Sequence, residues 1–114
     1  MFDFQKLQVY QKAKSFRKDI KDLIHQFKFD RTTVDQLSRA SVSIVLNIAE
    51  GSSRFSNRDR RYFMVFARGS VFECVAILEL LEENGEIPSE VYRAFLSQLE
   101  ELSKMLFGLI RKLE

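Results

Sequence analysis

Apolar residues recur at intervals of three and four along most of the chain, and three breaks divide them into four helical segments. The first runs from about Phe4 to Phe27, where Ala13, Phe16, Ile20, Leu23 and Phe27 mark one apolar face. Asp30-Arg31-Thr32-Thr33 closes it and offers N-caps to the next segment. The second runs from about Thr33 to Glu50, with Val34, Leu37, Ser41, Ile44 and Ile48 in a narrow stripe, and Gly51-Ser52-Ser53 is expected to stop it. The third starts near Ser56, which with Asp59 resembles a capping box, and ends at Asn84-Gly85. Pro88-Ser89-Glu90 opens the fourth, whose apolar line is Val91, Phe95, Leu99, Leu102, Leu106 and Leu109 or Ile110. Short links between long helices favour antiparallel neighbours. The expectation is an all-α protein, an antiparallel up-down-up-down four-helix bundle, with residues 1–114 as one domain.

The third segment carries more apolar surface than a small bundle needs. At about 100° per residue from Arg58, the residues Phe63, Phe66, Ser70, Ile77 and Leu81 gather between roughly 80° and 140°, the expected core face. Val65, Phe72 and Val75 fall on the far side, with Met64 and Val71 beside them. A helix apolar nearly all round is normally covered all round, which points to a second protomer against Val65, Phe72 and Val75. The competing reading is a wide core face with scattered exposed apolar residues.

Composition narrows the class. Hydrophobic residues make up 46% and charged residues 30%, with 4 Gly and 1 Pro, which argues against disorder. Eleven Phe and no Trp supply large apolar area without a polar handle. No apolar run is long enough to span a bilayer, and the first residues lack the apolar stretch of a signal peptide, so a cytoplasmic location and no membrane partner are expected. Cys74, the one cysteine, sits among Val71, Phe72 and Val75 and reads as a buried thiol. The net charge of +2 is unevenly spread: residues 1–61 hold 13 Lys/Arg against 7 Asp/Glu, and residues 62–114 hold 5 against 9. Such polarity suits a nucleic-acid surface or association through opposite charges.

The chemistry on offer is basic. Arg54, Arg58, Arg60 and Arg61 lie within eight residues, interleaved with Phe55 and Tyr62, and Arg68 shares a stripe with Arg58 and Arg61. Lys12, Lys14, Lys18 and Lys21 line the polar face of the first helix. Arginine can fork onto phosphate oxygens and stack on bases. The alternative is a solvated face with ion pairs to the acidic half. Asn47 and Glu50, near the end of the second helix, and Glu73, beside the expected core face of the third, read as polar residues that fix the bundle, Glu73 paired to an arginine or amide. No nucleophile or metal-ligand pattern accompanies the two glutamates. The lone His25 has no glutamate three residues before it, and Arg17 and His25 are too far apart in sequence for a helical-bundle RNase. Neither catalysis, metal nor cofactor is expected.

Asp35-Gln36-Leu37, Arg39-Ala40, Ser43-Ile44 and Asn47-Ile48-Ala49-Glu50-Gly51 with Arg54 resemble the signature of a four-helix-bundle family. Its members include the 23S rRNA intervening-sequence proteins and the accessory protein (Avd) of diversity-generating retroelements. Val9-Tyr10-Gln11-Lys12-Ala13 is similar to the opening of that family's first helix, and Ala67-Arg68-Gly69-Ser70 with Glu73 to its third-helix motif. The resemblance implies a homopentameric barrel. In the retroelement branch it implies binding to a reverse transcriptase and to nucleic acid through basic surfaces. The function expected is thus a non-enzymatic oligomeric accessory protein that binds RNA or DNA, with a protein-interaction scaffold as the rival.

Overall fold

The computed structural model describes residues 1–114 as four helices in one up-down-up-down bundle about 44 × 25 × 21 Å across. They are α1 (Gln8–Gln26), α2 (Arg31–Ser52), α3 (Asn57–Glu83) and α4 (Ser89–Lys112). Each helix packs beside the next and α4 closes on α1, so α1 and α3 lie on one diagonal. One core of 21 buried residues runs through the middle, with Phe16 and Phe95 packed edge to face across α1 and α4.

The element boundaries follow from local chemistry. Leu7 is extended and separates a 3-10 turn, Asp3–Lys6, from α1, so the first helix starts four residues later than expected. The turn is fixed to α1 by Phe4 against the Tyr10 ring and by Gln11, whose side chain donates to the Gln5 carbonyl at 2.6 Å. The Asp30 carboxylate accepts from the Thr33 amide at 2.7 Å and caps α2, a contact that holds its pKa below the usual carboxylate value. Ser56 caps α3 by accepting from the Asp59 amide at 3.1 Å. At the other end, Gly85 takes φ +73, its amide donates to Glu82 and the Glu86 amide to Leu81, a Schellman turn that needs glycine at that position. Ser89 then donates to the Glu82 carboxylate at 2.7 Å and ties the α3–α4 hairpin.

One expectation is refined and another corrected. Gly51-Ser52-Ser53 does end α2, at Ser52 with Ser53 as its cap, but Gly51 itself lies inside the helix, buried where α2 meets α3. A Cβ there would lie 2.9 Å from Phe63 Cβ and 3.2 Å from the Arg60 carbonyl, so the glycine permits close approach of two backbones. The core face of α3 is also turned from the expected one. Met64, Ala67, Val71, Cys74, Leu78 and Leu81 are buried, whereas Phe66 is exposed, and Phe63, Ser70 and Ile77 sit at the flanks. Met64 and Val71, expected outside, are therefore inside. The cause is packing: α3 presses against both α2 and α4, and small or flexible side chains fit that seam where a row of phenylalanines would not.

The aromatic residues accordingly go outward. Of eleven Phe, only Phe16 and Phe95 are buried. Five of the ten large exposed apolar side chains lie on α3, namely Tyr62, Val65, Phe66, Phe72 and Leu80, each between 50% and 58% accessible.

Candidate nucleic-acid interface

The arginines expected to form one phosphate-binding patch mostly have partners within the chain. Arg54 pairs with Glu50 at 3.4 Å and lies over the Phe63 ring at 4.6 Å. Arg60 Nε donates to the Arg54 carbonyl at 2.7 Å and braces the α2–α3 loop. Arg61 donates to the Leu113 carbonyl at 3.2 Å, which satisfies one of the last acceptors of α4. Arg68 sits between the rings of Phe72 at 4.8 Å and Phe107 at 5.6 Å, with its Nε buried and without a hydrogen-bond partner. Arg58 is exposed and makes neither an ion pair nor a hydrogen bond. The expected stripe is thus divided: Arg61 and Arg68 turn toward α4, and Arg58 points to solvent.

The lysines of α1 are differently placed. Lys12 reaches Glu101 on α4 at 3.0 Å. Lys14, Lys18 and Lys21 share the outer face of α1 within roughly 60° at 100° per residue, all exposed and without ion pairs. Lys14 additionally covers the Tyr10 ring at 5.2 Å. Since α1 starts beside the α2–α3 loop and the end of α4, the bundle is polarised along its length. Residues 1–16, 42–70 and 99–114, at that end, contain 11 Lys/Arg and 6 Asp/Glu, and the other end contains 7 and 10. An elongated body with a basic and an acidic end steers a polyanion to one of them.

The polar residues expected to fix the bundle do so only in part. Asn47 donates to the Ser43 carbonyl and hydroxyl, each at 2.9 Å, and the Ser43 hydroxyl meets Ser70 on α3 at 2.9 Å, so this chain of contacts crosses between two helices. Glu50 is exposed and paired to Arg54. Glu73, expected beside the core with a partner, is exposed and unpaired, because the α3 face that holds it is turned to solvent. Of the expected interface residues, Val65 and Phe72 are exposed and Val75 is half-buried against the core.

One structural polar residue escaped the sequence reading. Arg17 crosses from α1 to α2 and donates to the Ser38 carbonyl at 2.6 Å and the Ser41 hydroxyl at 2.7 Å. Ser41 is the one buried polar side chain of the core, and Arg17 satisfies it. The available signal was a serine within the apolar stripe of α2, which calls for a donor from a facing helix.

No three His, Cys, Asp or Glu side chains converge as a metal set, and His25 is exposed on α1. The Cys74 thiol is fully buried, and burial pushes its pKa up to about 12, with Glu73 adding to the rise and Arg17 opposing it. An open concavity of about 540 Å³ lies at the basic end and is lined largely by apolar groups such as Phe4, Leu7, Met64 and Leu109, with Arg60 also lining it. No helix is long and apolar enough to cross a membrane.

Comparison with known proteins agrees with this architecture. A crystal structure at 1.70 Å of a protein of unknown function from the S23 ribosomal protein family of Bacteroides thetaiotaomicron VPI-5482 superposes with a TM-score of 0.84 at 26% identity, covering 90% of this chain and 97% of that one. The search of characterised proteins gives no match. The model of the 23S rRNA-intervening sequence proteins matches residues 5–108, and the chain belongs to that family.

Proposed function

We propose that this chain is a non-enzymatic accessory protein that self-associates through the outer face of α3 and offers a basic surface to nucleic acid. The observation that carries the reading is the row of Tyr62, Val65, Phe66, Phe72 and Leu80, a stripe some five turns long on a helix whose other side already fills the core. The face is about 120° wide and is interrupted by Gly69, Glu73 and Ala76, and an apolar cluster of this kind with a polar group in it marks an interaction site. The resemblance stated above implies five copies in a ring. In such an assembly the Arg68 guanidinium, held between Phe72 and Phe107, would meet a facing acceptor such as the unpaired Glu73. The nucleic-acid part of the reading is supported by the free lysines of α1 and by the basic end of the bundle.

Phe72→Glu tests assembly. Phe72 is half exposed and outside the core, so a monomer tolerates the change, whereas an interface would have to bury a carboxylate. Light scattering on wild type is expected to give a multiple of the 13.4 kDa chain mass, and on Phe72→Glu the mass of one chain. A wild-type monomer, or an unaltered Phe72→Glu oligomer, would defeat the assignment of that face.

A second reading has its own observation. Four of the five candidate arginines are engaged within the chain, which favours a scaffold for a protein partner, a reverse transcriptase among those the resemblance implies, with no direct nucleic-acid contact. Fluorescence anisotropy with structured RNA and with duplex DNA at low and near-physiological salt separates the two. Salt-sensitive binding supports the first reading, and no binding at low salt supports the second.

A further inference from the structure

The most solvent-exposed apolar side chain in the molecule is not on α3. Phe55, in the loop between α2 and α3, is 100% accessible. Its ring is absent from every aromatic pair and from the core, although all other large exposed apolar groups lie on helices or at the N-terminus. The loop beneath it is nevertheless pinned on both sides. On one side Ser53 donates to the Glu50 carbonyl at 2.7 Å, and Arg60 holds the Arg54 carbonyl at 2.7 Å. On the other, Ser56 caps α3 at 3.1 Å. A preorganised backbone thus presents one bare ring to solvent, so little ordering entropy is left to lose on binding.

The surroundings of the ring indicate its partner. The tip is polar: Ser53, Ser56, Asn57, Arg58 and Asp59 are exposed, and no second apolar side chain joins Phe55. Protein hot spots are buried within a larger well-packed patch, which this tip lacks. A solitary aromatic in a loop followed closely by an unpaired arginine suits a nucleotide, whose base has an apolar face and whose phosphate is anionic. Arg58, three residues on, is the arginine of the cluster left without an intramolecular partner, and the tip lies at the basic end. Duplexes hide base faces in the stack, so the ring needs an unpaired base.

We infer that the α2–α3 loop is a stacking finger for single-stranded nucleic acid, with Phe55 on the face of an unpaired base and Arg58 on a neighbouring phosphate. This rests on the nucleic-acid reading proposed above. The chain contains no Trp, so Phe55→Trp places a single fluorescent reporter at the tip, where nothing in the fold is disturbed. The probes are a 15-nucleotide oligo-uridine and a hairpin duplex RNA. The finger predicts that Phe55→Trp binds oligo-uridine at least as well as wild type and that its emission is quenched on saturation. Phe55→Ala is expected to bind about 5-fold to 100-fold more weakly. Arg58→Ala should lower the log–log salt slope by about 0.7. Unquenched emission at saturation, or wild-type affinity in Phe55→Ala, overturns the finger while the lysine surface still accounts for binding. Emission that shifts blue on concentrating the protein alone assigns the tip to a protein contact and overturns it too. Wild-type protein that binds neither probe removes the finger and the nucleic-acid reading together.

Discussion

At the scale of single residues, two buried positions carry consequences out of proportion to their size. Gly51 is needed for the space it leaves and not for its backbone freedom, since it lies within α2 at an ordinary helical conformation. Alanine is intrinsically the better helix former by about 1 kcal/mol, yet its Cβ would fall 2.9 Å from Phe63 Cβ and 3.0 Å from Met64 Cε. The methionine can move; the Phe63 Cβ is fixed to the α3 backbone. Overpacking therefore wins, and Gly51→Ala is expected to lower stability by about 1–3 kcal/mol, read as a reduced urea midpoint with unchanged m-value. A midpoint at or above the parent's would mean that α3 shifts freely there. Cys74 makes the second case. Burial raises its thiol pKa from the ordinary value of 9.0 to about 12 in the fold. A raised thiol pKa means that the unfolded state loses its proton first, so this contribution is intact below pH 9 and declines as pH rises toward 12. The native thiol should resist iodoacetamide at pH 8 and react on denaturation. Rapid native alkylation would place Cys74 outside the core.

Individual helices were legible where one face alone is apolar. Of the expected stripes of α1, α2 and α4, Ala13, Phe16, Ile20, Leu23, Leu37, Ser41, Ile44, Ile48, Phe95, Leu99, Leu102 and Leu106 are buried, while Phe27, Val34, Val91, Leu109 and Ile110, at the helix ends, are half-buried. The caps at Asp30 and Ser56 and the turn at Gly85 were equally readable, because each is a local hydrogen-bond requirement. On α3 the same method misplaced the core. Apolar residues surround that helix, so no single face stands out, and the weight of Phe63 and Phe66 drew the expected face toward them. A pattern based on spacing alone succeeds: Met64, Ala67, Val71, Cys74, Leu78 and Leu81 follow a strict three-four alternation, the seam of antiparallel helices in close contact. Small side chains on that seam and large rings outside it invert the usual order of size and burial. The error also explains Glu73, whose supposed core position followed from the same rotation. Side-chain partnerships across helices, such as Arg17 with Ser38 and Ser41, depend on how two helices are set against each other, which spacing within one helix does not encode.

For the whole molecule, the decisive feature is the separation of surfaces. The outer face of α3 carries Tyr62, Val65, Phe66, Phe72 and Leu80 around the single carboxylate Glu73, the outer face of α1 carries free lysines, and α1 and α3 lie on one diagonal of the bundle. A protomer that buries its α3 face in an assembly would therefore keep Lys14, Lys18 and Lys21 on the opposite, outward side, repeated once per copy. Repetition matters more than the modest charge of each protomer. Three lysines contacting phosphate contribute roughly 2–3 units to the log–log salt slope, and linked copies raise the effective local concentration of binding sites. Replacing Lys14, Lys18 and Lys21 together by Glu tests this. None of the three belongs to the core or to the α3 face, so fold and assembly should survive. Binding to duplex RNA should fall by at least 10-fold at low salt, with a shallower salt slope. Arg31→Ala, which removes the same sign of charge from a group paired to Asp35 at the far end of the bundle, should leave the slope nearly unchanged. If the two variants lose binding equally, charge acts only through the net field of the molecule. If the lysine variant binds as well as wild type, the nucleic-acid surface is not on α1, and the basic end at the α2–α3 loop must account for any binding that remains.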